Sequence, residues 1–327
     1  MKRSVFEAAG AFEGCFKEFM GMNVFIIGGT NFIGPATARK LLEAGHTVTL
    51  FHRSPGSDLD EYTHIHGDCG NVEDLKRALR KARPDVIIHM VAYFQSHIAA
   101  LEKALDGHVM KTIIISSGDV YKGYAVLTEL SAEPPVPVPF TEQSPLRDVL
   151  YPYRGKLDID IAHDYDKIPV ERAALQSPLL DPVILRLGMV YGANDPNRRF
   201  ADPIQKMASG KKSIEIAKDM ADFCASKCYV ENVAHGIALA VAQGQAGEVY
   251  NLADKWVLAE REWLELLARK LNWSGEIITV DKEIPGMNTK QHFVLNTDKI
   301  RKSLGYEEIT SIDHALSNTI EWELSTL

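Results

Sequence analysis

This sequence predicts an α/β fold, a doubly wound parallel sheet with a smaller C-terminal lobe. Three observations carry that expectation. The run Asn23-Val-Phe-Ile-Ile-Gly-Gly-Thr-Asn-Phe-Ile-Gly34 passes from an apolar strand through paired glycines into a helical pattern. Strand-like and helix-like segments then alternate, the order that builds an open parallel sheet. Gly28, Arg53, Asp68, Ala92 and Ser117 each fall at the carboxyl end of a predicted strand, where such sheets gather their ligands.

The first unit is the most informative. Gly28 can take the positive φ of a tight turn, and Gly34 lets the helix approach closely. The middle position of a dinucleotide-binding fingerprint is usually a third glycine; here it is Asn31. Asparagine best tolerates a left-handed backbone after glycine, so Asn31 is expected to hold the turn. Bare amides at a helix start suit a pyrophosphate. Gly28, Thr30, Asn31, Phe32, Ile33 and Gly34 are therefore the expected dinucleotide-phosphate loop. A helix from Ala36 to Ala44 stops at Gly45, and Thr47-Val-Thr-Leu-Phe51 is the next strand. Beyond it, His52-Arg53-Ser54 replaces the carboxylate that an NAD enzyme usually places against the ribose hydroxyls. Arg53 can pair with a 2′-phosphate, which favours NADP(H) over NAD(H).

The remaining elements follow in order. His64-Ile-His-Gly-Asp68 reads as a third strand ending at Asp68, placed for an adenine amino group. Val72 to Ala82 is helical. Pro84 to Ala92 is nearly continuously apolar, as a strand buried on both faces should be. His89 within it reads as a satisfied core histidine. Lys111-Thr-Ile-Ile-Ile-Ser-Ser117 is a strand tipped with hydroxyls, and the prolines of 133–139 form an extended rim loop. Pro182 to Tyr191 is a sixth strand; Gly247 to Leu252 returns to the sheet. The expected division is an extension over 1–21, a nucleotide-binding domain over 22–192 that also takes 228–253, and a substrate lobe from 193–227 and 254–327. In the extension, Val5, Phe6, Ala9, Phe12, Phe16 and Phe19 make an apolar helical stripe without a catalytic role.

With 327 residues, 46% hydrophobic, 24% charged and a net charge of -8, the chain is an ordinary globular one in composition. The acidic balance argues against nucleic acid or an anionic membrane surface as the main partner. Four cysteines, none at metal-ligand spacing, lead us to expect no metal and a cytoplasmic location. No apolar run approaches the roughly 20 residues of a membrane span.

Ordered landmarks complete the reading. The glycine loop, Ile115-Ser-Ser-Gly-Asp-Val-Tyr121, Arg186-Leu-Gly-Met-Val-Tyr-Gly192, Tyr229-Val-Glu-Asn-Val-Ala234 and Leu295-Asn-Thr-Asp-Lys-Ile-Arg-Lys-Ser-Leu-Gly305 together resemble the extended short-chain dehydrogenase/reductases. This is the Rossmann-fold family of nucleotide-sugar epimerases and dehydratases, and the resemblance runs from about Met22 to Tyr306. It implies a catalytic hydroxyl at Ser117 and a Tyr-x-x-x-Lys pair whose lysine, Lys167, holds the nicotinamide ribose. The tyrosine slot, however, holds His163, while Tyr165 lies two residues from Lys167, on the opposite face of a helix. Three arrangements stay open: His163 carries the proton, Tyr165 reaches in from a backbone that is not helical before Pro169, or Tyr151 or Tyr153 swings in from a loop. A fourth is a dinucleotide-binding sensor without turnover. Tyr153, Arg198 and Arg199 are the candidate substrate contacts. The resemblance implies an NAD(P)-dependent enzyme acting on a hydroxyl or ketone of a sugar-like, nucleotide-linked small molecule, and pairing as a homodimer. RNA-binding relatives of this fold are disfavoured by the acidic charge.

Overall fold

A computed structural model describes residues 21–53, 61–156 and 160–326. The apolar stripe expected in the extension, and Ser54, lie outside the described residues. The strands are β1 (Asn23–Ile27), β2 (Thr47–His52), β3 (Thr63–His66), β4 (Val86–His89), β5 (Met110–Ser117), β6 (Leu180–Leu187), β7 (Met189–Tyr191), β8 (Ser213–Ala217), β9 (Lys227–Tyr229), β10 (Val249–Leu252) and β11 (Glu276–Val280). The helices are α1 (Ile33–Glu43), α2 (Val72–Ala82), α3 (Gln95–Ala104), α4 (Lys122–Leu127), α5 (Asp160–Asp164), α6 (Lys167–Gln176), α7 (Ala201–Ala208), α8 (Lys218–Ala221), α9 (Val230–Gln243), α10 (Glu260–Lys270), α11 (Asp298–Leu304) and α12 (Ile312–Ser325).

Seven parallel strands form the main sheet in the order β10-β6-β5-β4-β1-β2-β3. Apolar side chains on one face pack on α1 and α9, through Ala38, Leu41, Val233 and Ile237. Those on the other face pack on α2, α3 and α6, through Leu75, Leu101 and Val170. Covered on both sides, β1 and β4 are almost wholly buried, which is why their sequences are apolar runs rather than alternations. The chain lays β2 and β3 to one side of β1 and then crosses to place β4 on the other. Ile27 pairs with both Phe51 and His89, so a crevice opens past Ile27 at this topological switch.

Two strand expectations change. The sixth strand divides at Gly188, whose N–H bonds Leu252 while Met189 turns to bond Ser226. A Cβ at Gly188 would lie 2.8 Å from the Ser226 carbonyl, so a glycine fits where the chain switches partners. As a result β7 pairs with β9 in a separate two-stranded sheet, and only β10 returns beside β6. The strand expected over 84–92 is regular only from Val86 to His89.

The landmark residue Arg186 explains how the sheet and α6 lock together. Its guanidinium grips the Glu171 carboxylate with two bonds of 3.0 and 2.7 Å, and the same carboxylate accepts Ser116 Oγ–H at 2.5 Å. Both partners are buried. Removing one member leaves an uncompensated buried charge, so Glu171→Ala is expected to lower stability by about 3–5 kcal/mol. The measurement is the urea midpoint at unchanged slope. A loss under about 1 kcal/mol would instead be the behaviour of a solvent-screened pair. Among the described residues, no helix is long and apolar enough to cross a membrane.

Candidate active site

The crevice is a cavity of about 700 Å³ lined by Gly28, Thr30, Asn31, Arg53, Asp68 and Tyr93, among others. Its glycine turn is built differently from the expectation. Gly28 has φ +84° as required, but the other left-handed residue is Phe32 (φ 47°), the residue before α1, and not Asn31. Asn31 instead stands exposed on the cavity wall, its carbonyl accepting the Gly34 N–H. Gly34 is held tightly: a Cβ there would sit 2.4 Å from the carbonyl carbon of Gly29. The first turn of α1 therefore rests on the glycine turn itself, beside the cavity. Thr30 lines the cavity wall, and Phe32 and Ile33 pack into the core behind it. Backbone amides, a close-packed glycine and a cavity of this size fit a dinucleotide.

At the end of β2, Arg53 is well exposed and its guanidinium lies 3.8 Å from the Asp68 carboxylate at the end of β3. This end of the cavity thus offers both signs of charge.

At the other end, the elements that carry Lys167 and Tyr165 are fixed by a buried ion pair. The Arg147 guanidinium bonds Asp166 at 2.6 and 3.2 Å, and Asp166 in turn accepts the Ile168 and Tyr151 N–H groups. Asp166 is extended (φ -162°, ψ 122°) and caps α6. The helix therefore begins at Lys167, and Pro169 falls in its first turn, where its missing N–H costs nothing. Because the backbone is not helical at 165–166, Tyr165 and Lys167 do not lie on opposite faces. The Lys167 ammonium sits 5.6 Å from the Tyr165 ring centre and 4.9 Å from that of Tyr93. The same break leaves His163 on α5, exposed and bonded to Asp164. His163 is not brought to Lys167, contrary to the spacing-based option.

Lys167 Nζ donates to the carbonyls of Ala92 and Ile115 at 2.8 and 2.9 Å. Ala92 follows β4, and Ile115 lies near the end of β5, the neighbour of β4 in the sheet. Tyr165 and Tyr153 both donate O–H to Asp119 Oδ2, at 3.1 and 3.3 Å, and Tyr153 also bonds the Tyr124 hydroxyl at 2.8 Å. Asp119 Oδ1 is buried with no hydrogen-bond partner among the described residues. Burial pushes the Asp119 carboxyl above its usual range, against the opposing charges of Arg147 and Lys167. Burial, then the Asp119 charge, pushes Tyr165 well above the usual phenol value. Ser117 Oγ accepts the Asp119 N–H at 3.2 Å, capping the short turn after β5. Its O–H is left to donate.

The candidate substrate arginines are engaged elsewhere. Arg198 bonds Glu323 and Thr326 on and after α12, and Arg199 donates to the Val190 carbonyl. Asp119 is not among the site residues expected from the sequence, although it stands inside the Ile115–Tyr121 landmark; an acid two residues past a strand-end hydroxyl is the signal for it.

Burial lowers Lys167 from 10.5 to about 8, with Asp119 and Glu171 working against the shift. The folded chain therefore holds fewer protons than the unfolded one between these values. The ammonium's burial costs stability at neutral pH, and stability recovers as pH rises through that window. Function should move oppositely: dinucleotide affinity is expected to fall above about pH 8 as the ammonium is lost. A titration of affinity against pH checks this, and a flat profile to pH 10 would rule out a charged Lys167 in binding.

Residues 24–117 match the NAD dependent epimerase/dehydratase family. The chain is 22% identical to dTDP-glucose 4,6-dehydratase 1 of Escherichia coli (strain K12), over 93% of both sequences. Its fold is similar to the UDP-glucose 4-epimerase of Thermotoga maritima solved with UDP-glucose, with a TM-score of 0.72 at 20% identity, covering 93% of this chain and 99% of that one. It is also similar to the dTDP-glucose 4,6-dehydratase of Streptomyces venezuelae solved with NAD, with a TM-score of 0.70 at 22% identity, covering 94% and 97%.

Proposed function

We propose that the protein, whose residues 24–117 match the NAD dependent epimerase/dehydratase family, is an NAD(H)-dependent enzyme acting on a hydroxyl or ketone of a nucleotide-linked sugar. The observation that carries this reading is the convergence of Lys167, Tyr165 and Asp119 at the ends of β4 and β5, beside the cavity. When bound, the nicotinamide supplies hydride transfer. The glycine turn orients the diphosphate, and Lys167 holds the ribose. Tyr165 takes the proton of the substrate hydroxyl while passing its own to Asp119, whose burial raises its affinity for a proton. Ser117 donates its O–H to the reacting oxygen. Tyr153 supports Asp119 from the substrate side.

NAD(H) is supported by the family match and by the NAD-bound structural neighbour. Arg53 makes NADP(H) the second candidate, and the nearby Asp68 offsets part of its charge. Competitive titration with NADH and NADPH distinguishes them: a tenfold preference is about 1.4 kcal/mol. The proposal includes a cytoplasmic homodimer, read by light scattering. The enzyme itself is tested by incubating it with NAD and a panel of UDP- and dTDP-hexoses. Transient reduced-nicotinamide absorbance with a converted sugar is expected. Tight NAD binding with no conversion of any sugar would mean a sensor instead.

A further inference from the structure

We propose that Cys69, His89 and His97 form a binding site for a single Zn²⁺ or Co²⁺ ion in the floor of the nucleotide cavity. Their donor atoms all lie within 4.8 Å of one another. A tetrahedral ion with N and S bonds of about 2.0–2.3 Å needs donors roughly 3.3–3.6 Å apart, so modest side-chain rotation closes the set.

The decisive residue is His89. It is fully buried on β4, yet neither ring nitrogen has a hydrogen-bond partner among the described residues. The expectation of a satisfied core histidine is therefore overturned. Buried polar groups are almost always paired, and an unpaired one calls for a missing partner. His97 is prepared in the complementary way. Its Nδ1 lies 2.9 Å from the Val91 carbonyl, which can only accept, so Nδ1 carries the hydrogen and Nε2 keeps its lone pair. A backbone carbonyl on the remote nitrogen is the usual way in which a ligating histidine is oriented. The two imidazoles stack with centres 5.9 Å apart and planes 14° from parallel. Cys69 follows Asp68 after β3 and supplies the thiol; Cys69 and His97 also line the cavity, which gives the ion its path of entry. Two imidazoles and one thiolate are a three-protein-ligand zinc set with one position left for water. On binding, the Cys69 thiol releases its proton to solvent as the metal–sulfur bond forms. The cysteine spacing gives no hint of this site, because the three residues come from three separate elements.

The test uses metal-free full-length protein titrated with Co²⁺. One equivalent is expected to bind, with tetrahedral visible bands and a thiolate-to-cobalt charge-transfer absorption. Cys69→Ser should abolish that absorption, and His97→Gln should weaken the affinity by more than about tenfold. Should either variant fail to fold, alkylation of the parent protein decides: Zn²⁺ is expected to protect Cys69 selectively, as read by peptide mass mapping. No charge-transfer absorption in the parent overturns the site. So does an absorption that survives in folded Cys69→Ser, which would then arise at another cysteine such as Cys224 beside His292, or equal alkylation of Cys69 with and without Zn²⁺.

Discussion

Tyr165→Phe is expected to bind the dinucleotide as the parent does and to turn over about 10²–10⁴-fold more slowly, the usual worth of a positioned proton carrier. The phenol oxygen is the only atom removed. The ring stays packed against Tyr93 and Tyr153, and Lys167 keeps its two carbonyl partners. Loss should therefore appear in kcat rather than in cofactor affinity. Asp119→Asn tests the other end of the same relay. An amide can still accept the phenol O–H but cannot take its proton, so kcat should again fall. Because the two groups act as a unit, the double variant should be little worse than the poorer single one. Additive losses would mean that Asp119 acts elsewhere. His163→Ala, by contrast, should leave kcat unchanged, since that ring is exposed and, among the described residues, is bonded to its neighbour Asp164.

Gly34→Ala is expected to remove dinucleotide binding while leaving most of the sheet intact. The new Cβ would sit 2.4 Å from the Gly29 carbonyl carbon and 2.5 Å from its oxygen. These are backbone atoms, so no side-chain rotation relieves the overlap, and α1 must lift off the turn. Overpacking of this kind costs about 1–3 kcal/mol in stability. The displaced amides should cost more than tenfold in affinity, at least about 1.4 kcal/mol. Thermal unfolding and NADH fluorescence titration read the two effects separately. A folded Gly34→Ala protein with parental affinity would mean that the phosphates do not contact this turn.

The sheet was legible because burial on both faces leaves a plain mark: Val24 to Ile27 and Val86 to Ile88 had to be apolar, and they are. The glycine turn was legible in outline, since Gly28 and Gly34 answer local steric demands. Asn31 differs from expectation because the left-handed position falls one residue on, at Phe32, just before α1 packs on the turn. The proton carrier was ambiguous for a physical reason. Whether Tyr165 faces Lys167 depends on a helix break fixed by Arg147, 19 residues before its partner Asp166, and no local spacing encodes that. Arg198 illustrates the same limit: its partner Glu323 lies 125 residues away. Arg198, read as a substrate clamp, is here a strut for the last helix.

The most direct test of the central claim is a structure of the protein with NAD and a nucleotide sugar bound. The account predicts the diphosphate of the dinucleotide on the Gly28–Gly34 turn and Lys167 on the nicotinamide ribose. The Tyr165 oxygen should lie within about 2.6–3.2 Å of the reacting sugar oxygen. A nicotinamide lying away from Lys167, or a sugar oxygen met by His163 with Tyr165 turned aside, would contradict it.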